Sequence, residues 1–280
     1  MINKIIAFGD SVTHGAELPE LELGDLSKHM HNIFGTTSLT PKLRGEWKYV
    51  KQWYDLLDTI PDYKEKCNQL SYCGQLGNAL DIPVTNFGRP GNSNNATLNA
   101  IINNLDLIDE NTLVIVGLAS VYRTSRFLEY YVQCYNTSVT KTKEHAKWVE
   151  LGLDWDDDPL SKLSFLMQFI LSVRKILPTQ HVIFIDPYSI YITNKLLQRN
   201  MVTEWIQNSG FDENLWHKTH IEFIQRVFDE NIFTSTFAEF METQNDIEYK
   251  RCVLNHPSKD LHSILAKEYL LPYIKEQNWI

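Results

Sequence analysis

The sequence predicts an α/β fold, with a parallel sheet between two layers of helices, and three observations carry that prediction. Short apolar runs begin near residues 4, 83, 113 and 181 and give way to Gly9, Gly88, Gly117 and Asp186, as buried parallel strands do where they meet their C-terminal loops. Between the runs, apolar residues recur at three- and four-residue steps, as in Leu70, Cys73, Leu76 and Leu80, the spacing of a helix face laid on a sheet. Strand and helix therefore alternate, which is the order of a doubly wound sheet. A fifth strand is expected near the C-terminal region.

Length and composition narrow the possibilities further. The chain has 280 residues, 43% of them hydrophobic, which suits one domain over residues 1–280 with insertions at about 16–66, 121–160 and 190–245. A net charge of −9 with no basic run argues against a nucleic-acid surface. Met1 leads straight into the first strand with no charged segment and apolar stretch before it, and Leu163 to Val173 is too short to cross a bilayer, which takes about 20 residues. A cytoplasmic protein without a membrane span is expected. Cys67, Cys73, Cys134 and Cys252 form no Cys-x-x-Cys pair, so reduced thiols are expected, and neither a metal nor a cofactor is called for.

The first strand, Lys4 to Phe8, runs into Gly9-Asp10-Ser11-Val12-Thr13-His14-Gly15. A serine at the C-terminal edge of a parallel sheet stands where ligands bind, and it can serve as a nucleophile. Asp10-Ser11 is equally the chemistry of a helix N-cap, and taken alone capping is the commoner use. Residues 16–66 are rich in charge, aromatics and breakers (Gly24, Gly35, Pro41, Gly45, Pro61) and read as an insertion. His29-x-His31 there has no third ligand at a convincing spacing, and Trp47, Tyr49, Trp53 and Tyr54 read as packing in preference to a stacking platform for a sugar or acyl chain.

A helix from Gln69 to Leu80 precedes the second strand, Ile82 to Phe87, and then the loop Gly88-Arg89-Pro90-Gly91-Asn92-Ser93-Asn94-Asn95, with a helix starting after it. Leu113 to Gly117 is the clearest buried strand and ends in Leu118-Ala119-Ser120. Residues 121–180 read as helical, with Arg123 and Arg126 as cations near the strand end and the acidic turn Asp154–Asp158 as a solvated break; Ser161 to Leu177 forms an amphipathic helix before the fourth strand, which ends in Asp186-Pro187. Residues 188–250 read as mostly helical, and His217 and His220 there lie one turn apart without a third ligand. The chain closes with Leu254-Asn255-His256-Pro257-Ser258 and a helix through His262, Leu265, Ala266 and Tyr269.

Three of these segments together resemble the SGNH, or GDSL-type, hydrolases. Gly9-Asp10-Ser11-Val12-Thr13-His14-Gly15 is similar to the family's first block, the Gly91 loop to its second, and His256-Pro257-Ser258 to its fifth. The resemblance implies a three-layer, flavodoxin-like α/β/α fold and a serine esterase or acylhydrolase, with Ser11 as nucleophile, His256 as base, and the amides of Ser11 and Gly91 as the oxyanion hole. Its substrate would be a small-molecule or glycan ester, with O-acetylated carbohydrate slightly ahead of long acyl chains.

Two positions depart from the family pattern. Ala119 stands where a third-block asparagine would donate to the oxyanion, and losing such a donor costs about 2.7–4 kcal/mol. Asn92, Asn94 or Ser120 are the candidate replacements. Val253 stands three residues before His256, where the block-five aspartate belongs, so Asn255, Asp186 or a backbone carbonyl would orient the imidazole, or the pair acts as a dyad. Both departures keep open the other reading, an SGNH-like ligand- or carbohydrate-binding protein with weakened or lost catalysis.

Overall fold

The computed structural model describes residues 1–36, 47–119, 123–128, 131–136, 159–186, 226–227, 232–233, 252 and 256–280. Its main sheet contains β1 (Lys4–Phe8), β2 (Val84–Asn86), β3 (Thr112–Gly117), β6 (Val182–Ile185) and β7 (Ile232–Phe233), all parallel, in the order β2-β1-β3-β6-β7. The four expected strands are present; the fifth strand of the sheet, β7, lies inside the segment 190–245 read as a mostly helical insertion, earlier than the strand expected near the C-terminal region. β1 and β3 are central, so both must be apolar on both faces, as the runs Ile5–Phe8 and Leu113–Val116 are.

Alternation along these strands divides the core in two. Ile6, Phe8, Val114, Val116, Val182 and Phe184 cluster with Ile101 of helix α6 (Asn94–Ile102) and with Leu166, Phe169, Ile170 and Val173 of α7 (Pro159–Ile176). Ile5, Ala7, Leu113, Ile115, Ile183 and Ile185 meet Tyr72, Cys73 and Leu76 of α5 (Tyr72–Leu80) on the other face. Leu261, Leu265, Ala266, Leu270 and Ile274 join that second cluster from the C-terminal helical segment, where α8 (Lys259–Ile264) and α9 (Leu271–Glu276) flank a π-helical turn at Leu265–Leu270. The result is a three-layer α/β/α sandwich.

The segment read as a turn-rich insertion is helical. A 3₁₀ turn (Leu18–Leu23) leads to α2 (Leu26–Phe34), α3 (Trp47–Leu57) and α4 (Tyr63–Leu70), with Gly24 and Gly35 closing the first two elements at positive φ. Phe34, Trp53, Leu57, Ile60, Tyr63 and Cys67 bury a cluster of their own there.

Two further expectations are corrected. The helix expected from Gln69 is two: Ser71 turns extended between α4 and α5, and its hydroxyl caps the second by accepting from Gly74 N at 3.1 Å. The stretch after residue 120, expected to be helical, contains an antiparallel pair, β4 (Arg123–Leu128) and β5 (Tyr131–Asn136), with Arg123 opposite Asn136 and Arg126 opposite Gln133. Tyr131, Val132 and Tyr135 are strand-forming residues that outweighed the helical reading. The acidic turn 154–158, His217 and His220 lie outside the described residues.

One glycine fixes how closely the first motif approaches the sheet. A Cβ on Gly117 would sit 1.9 Å from Thr13 Oγ1, and that hydroxyl is itself bonded to Tyr72 OH at 3.0 Å. Gly117→Ala should therefore cost about 1–3 kcal/mol, the usual penalty for overpacking a filled core, read from the shift in urea midpoint at unchanged m-value.

Candidate active site

β1 delivers the chain to Gly9, and helix α1 (Ser11–His14) begins immediately after it. The capping role suggested for the Asp-Ser pair falls to the aspartate: Asp10 Oδ1 accepts from Val12 N at 3.0 Å. Ser11, 3% exposed, is thereby the first helical residue. α1 lasts one turn, stops at Gly15 in the left-handed region, and folds back so that Ala16 N donates to Ser11 O at 2.9 Å. That return puts Glu17 on the Ser11 turn, itself at φ 70 and fully buried.

Glu17 is the acid that sequence reasoning missed. Its Oε2 meets His256 Nδ1 at 2.5 Å, and its Oε1 accepts from the Trp53 indole N–H at 2.8 Å. Its backbone N–H donates to Tyr63 OH at 3.2 Å. In the tautomer that donates from Nδ1 to the carboxylate, Nε2 is left as an acceptor. The loop carrying His256 is closed by Cys252 N donating to His256 O at 2.8 Å. Glu17 thus takes the place expected for Asp186 or Asn255. Asp186 is half-buried at the end of β6, and Asn255 lies outside the described residues. The available signal was Glu17 itself, a carboxylate six residues after Ser11 in a chain whose usual acid position is Val253.

The second block is tied to the first through Gly9, whose carbonyl accepts from Arg89 N at 3.0 Å and from Asn92 Nδ2 at 3.1 Å. Asn92 Nδ2 also donates to Thr97 Oγ1 at 3.1 Å, so both of its side-chain hydrogens are engaged within the fold. Asn94 makes a two-way bond with Ala119: Nδ2 donates to Ala119 O at 3.0 Å and Oδ1 accepts from Ala119 N at 2.8 Å. The two asparagines expected as oxyanion donors therefore lash the loop to the ends of β1 and β3. Asn86 adds a third tie, donating to Thr13 O at 2.7 Å while accepting from Gly88 N at 2.8 Å. Ser120, the remaining candidate donor, lies outside the described residues.

Gly91 has φ 77, and nothing lies within 4 Å of where its Cβ would be. Backbone conformation, with open space in front of it, accounts for glycine there. His14 adjoins this region. Burial holds its imidazole below the ordinary value, Lys64 and His256 push the same way, and a bond to the Gly88 backbone opposes them.

Among the described residues, no group of three or more His, Cys, Asp or Glu could hold a metal ion. His29 Nε2 instead meets the Leu23 carbonyl at 3.3 Å. No helix among those residues is long and apolar enough to cross a membrane.

No family model and no curated protein matches the sequence. Solved structures are similar to it. A member of the lipolytic protein G-D-S-L family from Veillonella parvula is 12% identical, covers 97% of this chain and 98% of its own, and superposes with a TM-score of 0.46. The lipase/acylhydrolase from Enterococcus faecalis is 13% identical over 99% of this chain and 97% of its own, with a TM-score of 0.43. The acetyl xylan esterase Est2A from Butyrivibrio proteoclasticus is 15% identical over 99% of this chain and 65% of its own, with a TM-score of 0.48. With helices on both faces of a parallel sheet ordered β2-β1-β3-β6-β7 and a Gly-Asp-Ser turn leaving its first strand, the chain is a three-layer α/β/α protein that resembles the SGNH-type hydrolases in that turn.

Proposed function

We propose that the protein hydrolyses a carboxylic ester through an acyl-serine intermediate, using Ser11, His256 and Glu17. The observation that carries this reading is the 2.5 Å contact between His256 Nδ1 and the buried Glu17 carboxylate. It supplies a carboxylate in place of the one absent from position 253, whose absence kept the non-catalytic reading open, and it does so from the turn that carries Ser11.

In the proposed cycle, Ser11 Oγ attacks the ester carbonyl and gives its proton to His256 Nε2. Negative charge moves to the carbonyl oxygen, where the backbone N–H groups of Ser11 and Gly91 receive it. The intermediate collapses, His256 returns the proton to the departing alkoxide, and an alcohol leaves. Water then repeats the sequence on the acyl-serine and releases the carboxylic acid. Glu17 stays ionised throughout, fixing the imidazole tautomer and stabilising the imidazolium. Asn92 and Asn94 hold the second loop in place beside these backbone donors.

The substrate class is a small-molecule or glycan ester. The aromatic group of the insertion gives little to a sugar platform, because Trp53 is fully buried and Tyr49 and Tyr54 pack against its cluster. A fluorophosphonate probe should label the parent at Ser11, located by peptide mass, and leave Ser11→Ala unlabelled. Hydrolysis of short p-nitrophenyl esters and of acetylated sugars should disappear with the same variant. A parent that takes no label and turns over no ester of either kind would leave the ligand-binding reading in its place.

A further inference from the structure

We infer that Trp53 is a positioning residue for this site, acting through Glu17. The inference rests on the Ser11–His256–Glu17 reading and extends it to the helical segment 18–70. A carboxylate has two oxygens, and Oε2 meets His256; a partner on the other oxygen restrains rotation of the group about its last bond. That partner is the indole N–H of Trp53, 2.8 Å from Oε1 and fully buried. A charged acceptor in a dry setting makes this a strong hydrogen bond, and it shares the carboxylate's charge with His256.

The rest of the segment is arranged around that contact. Trp53 lies on α3, where the Phe34 ring of α2 lies tilted against its ring at a centroid distance of 6.2 Å, and Leu57, Ile60 and Tyr63 complete the cluster. Tyr63 of α4 reaches the same residue from the other side, its hydroxyl oxygen accepting the Glu17 backbone N–H at 3.2 Å. Glu17 at φ 70 is in a conformation that costs a non-glycine residue free energy, so it persists only where its neighbours determine it. One hydrogen bond fixes the carboxylate plane and the other fixes the backbone from which it projects. An apolar anchor at position 53 would fill the cluster equally well but would not supply this hydrogen bond to Oε1.

The test separates positioning from packing. Trp53→Phe removes the donor and part of the ring; replacing Trp53 by 3-benzothienylalanine removes the donor and keeps the ring's shape. Both should lower kcat on a short acyl ester by about 10–100-fold with KM unchanged, the range for losing a hydrogen bond to a charged group. In a Glu17→Gln background the same replacements should cost little more, because their effect passes through the carboxylate. The proton on His256 Nδ1, followed by NMR, should broaden into exchange with water in both variants, a readout that needs no turnover. Unchanged kcat and an unchanged Nδ1 proton in the benzothienyl variant would overturn the inference, as would costs that simply add to those of Glu17→Gln. If the parent neither turns over esters nor takes the Ser11 probe, the esterase reading fails, and the Nδ1 proton alone decides the role of Trp53.

Discussion

Glu17→Gln should lower kcat by about 10³–10⁴-fold, equivalent to about 4–5.4 kcal/mol of transition-state stabilisation. The substitution keeps the shape of the side chain and its acceptor for the Trp53 N–H. It presents an amide N–H₂ to His256 Nδ1, however, so the imidazole must place its own proton on Nε2. That is the wrong tautomer for accepting the Ser11 proton, and the stabilising charge is gone as well. The second-order rate of fluorophosphonate labelling at Ser11 should fall alongside kcat/KM, since both report the activated serine. Folding should change far less, which a urea titration of the same preparation checks. Near-parental rates in Glu17→Gln would remove Glu17 from the triad and reduce the site to Ser11 and His256.

Acid should destabilise the protein through His262. This imidazole is fully buried, stacks on Tyr72 with centroids 5.7 Å apart, and accepts the Tyr72 backbone N–H at Nδ1 over 3.0 Å. Protonating Nδ1 would abolish that acceptor and bury a charge. Burial accordingly pulls the pKa from 6.5 down to about 3, with His256 adding in the same direction. Because the folded value lies below the unfolded one, the stabilisation is whole above pH 6.5 and is lost as pH falls from there towards 3. The slope is about 1.36 kcal/mol per pH unit, hence about 2 kcal/mol between pH 6.5 and 5 and on the order of 4–5 kcal/mol by pH 3. Carboxylates titrate in the same window, so the comparison is with His262→Asn, whose side-chain oxygen can accept from Tyr72 N without titrating. Urea unfolding at pH 7, 6 and 5 should show a shallower loss in the variant, and parallel profiles would mean that His262 is not the group responsible.

The elements legible in the sequence were those whose signal is local. β1 and β3 are uninterrupted apolar runs because both faces are covered, and Gly9 and Gly117 mark their ends. The Gly91 loop was legible through its glycines and asparagines, but the work of Asn92 and Asn94 was not. An asparagine on this loop looks the same in sequence whether its amide points at a ligand or, as here, at Gly9 O and Ala119 O. Glu17 was hidden for a related reason. Its importance comes from contacts with Trp53, Tyr63 and His256, the last 239 positions away in the chain, and nothing in its immediate neighbourhood declares them. The β4-β5 hairpin was misread because helical and strand preferences compete in a segment mixing charged and aromatic residues, and cross-strand pairing decided the outcome.

Placing the acid on the Ser11 turn changes what has to be assembled for the site to exist. Two of the three proposed groups, Ser11 and Glu17, stand six residues apart on one turn at the end of β1, whereas His256 comes from the far end of the chain, 239 positions from Glu17. The contact between His256 and Glu17 therefore joins the turn that leaves β1 to the C-terminal segment that packs Leu261, Leu265 and Leu270 onto the sheet. Under the proposed mechanism, activity would report on that contact: displacing the C-terminal segment would leave Ser11 and Glu17 on their shared turn and take away His256.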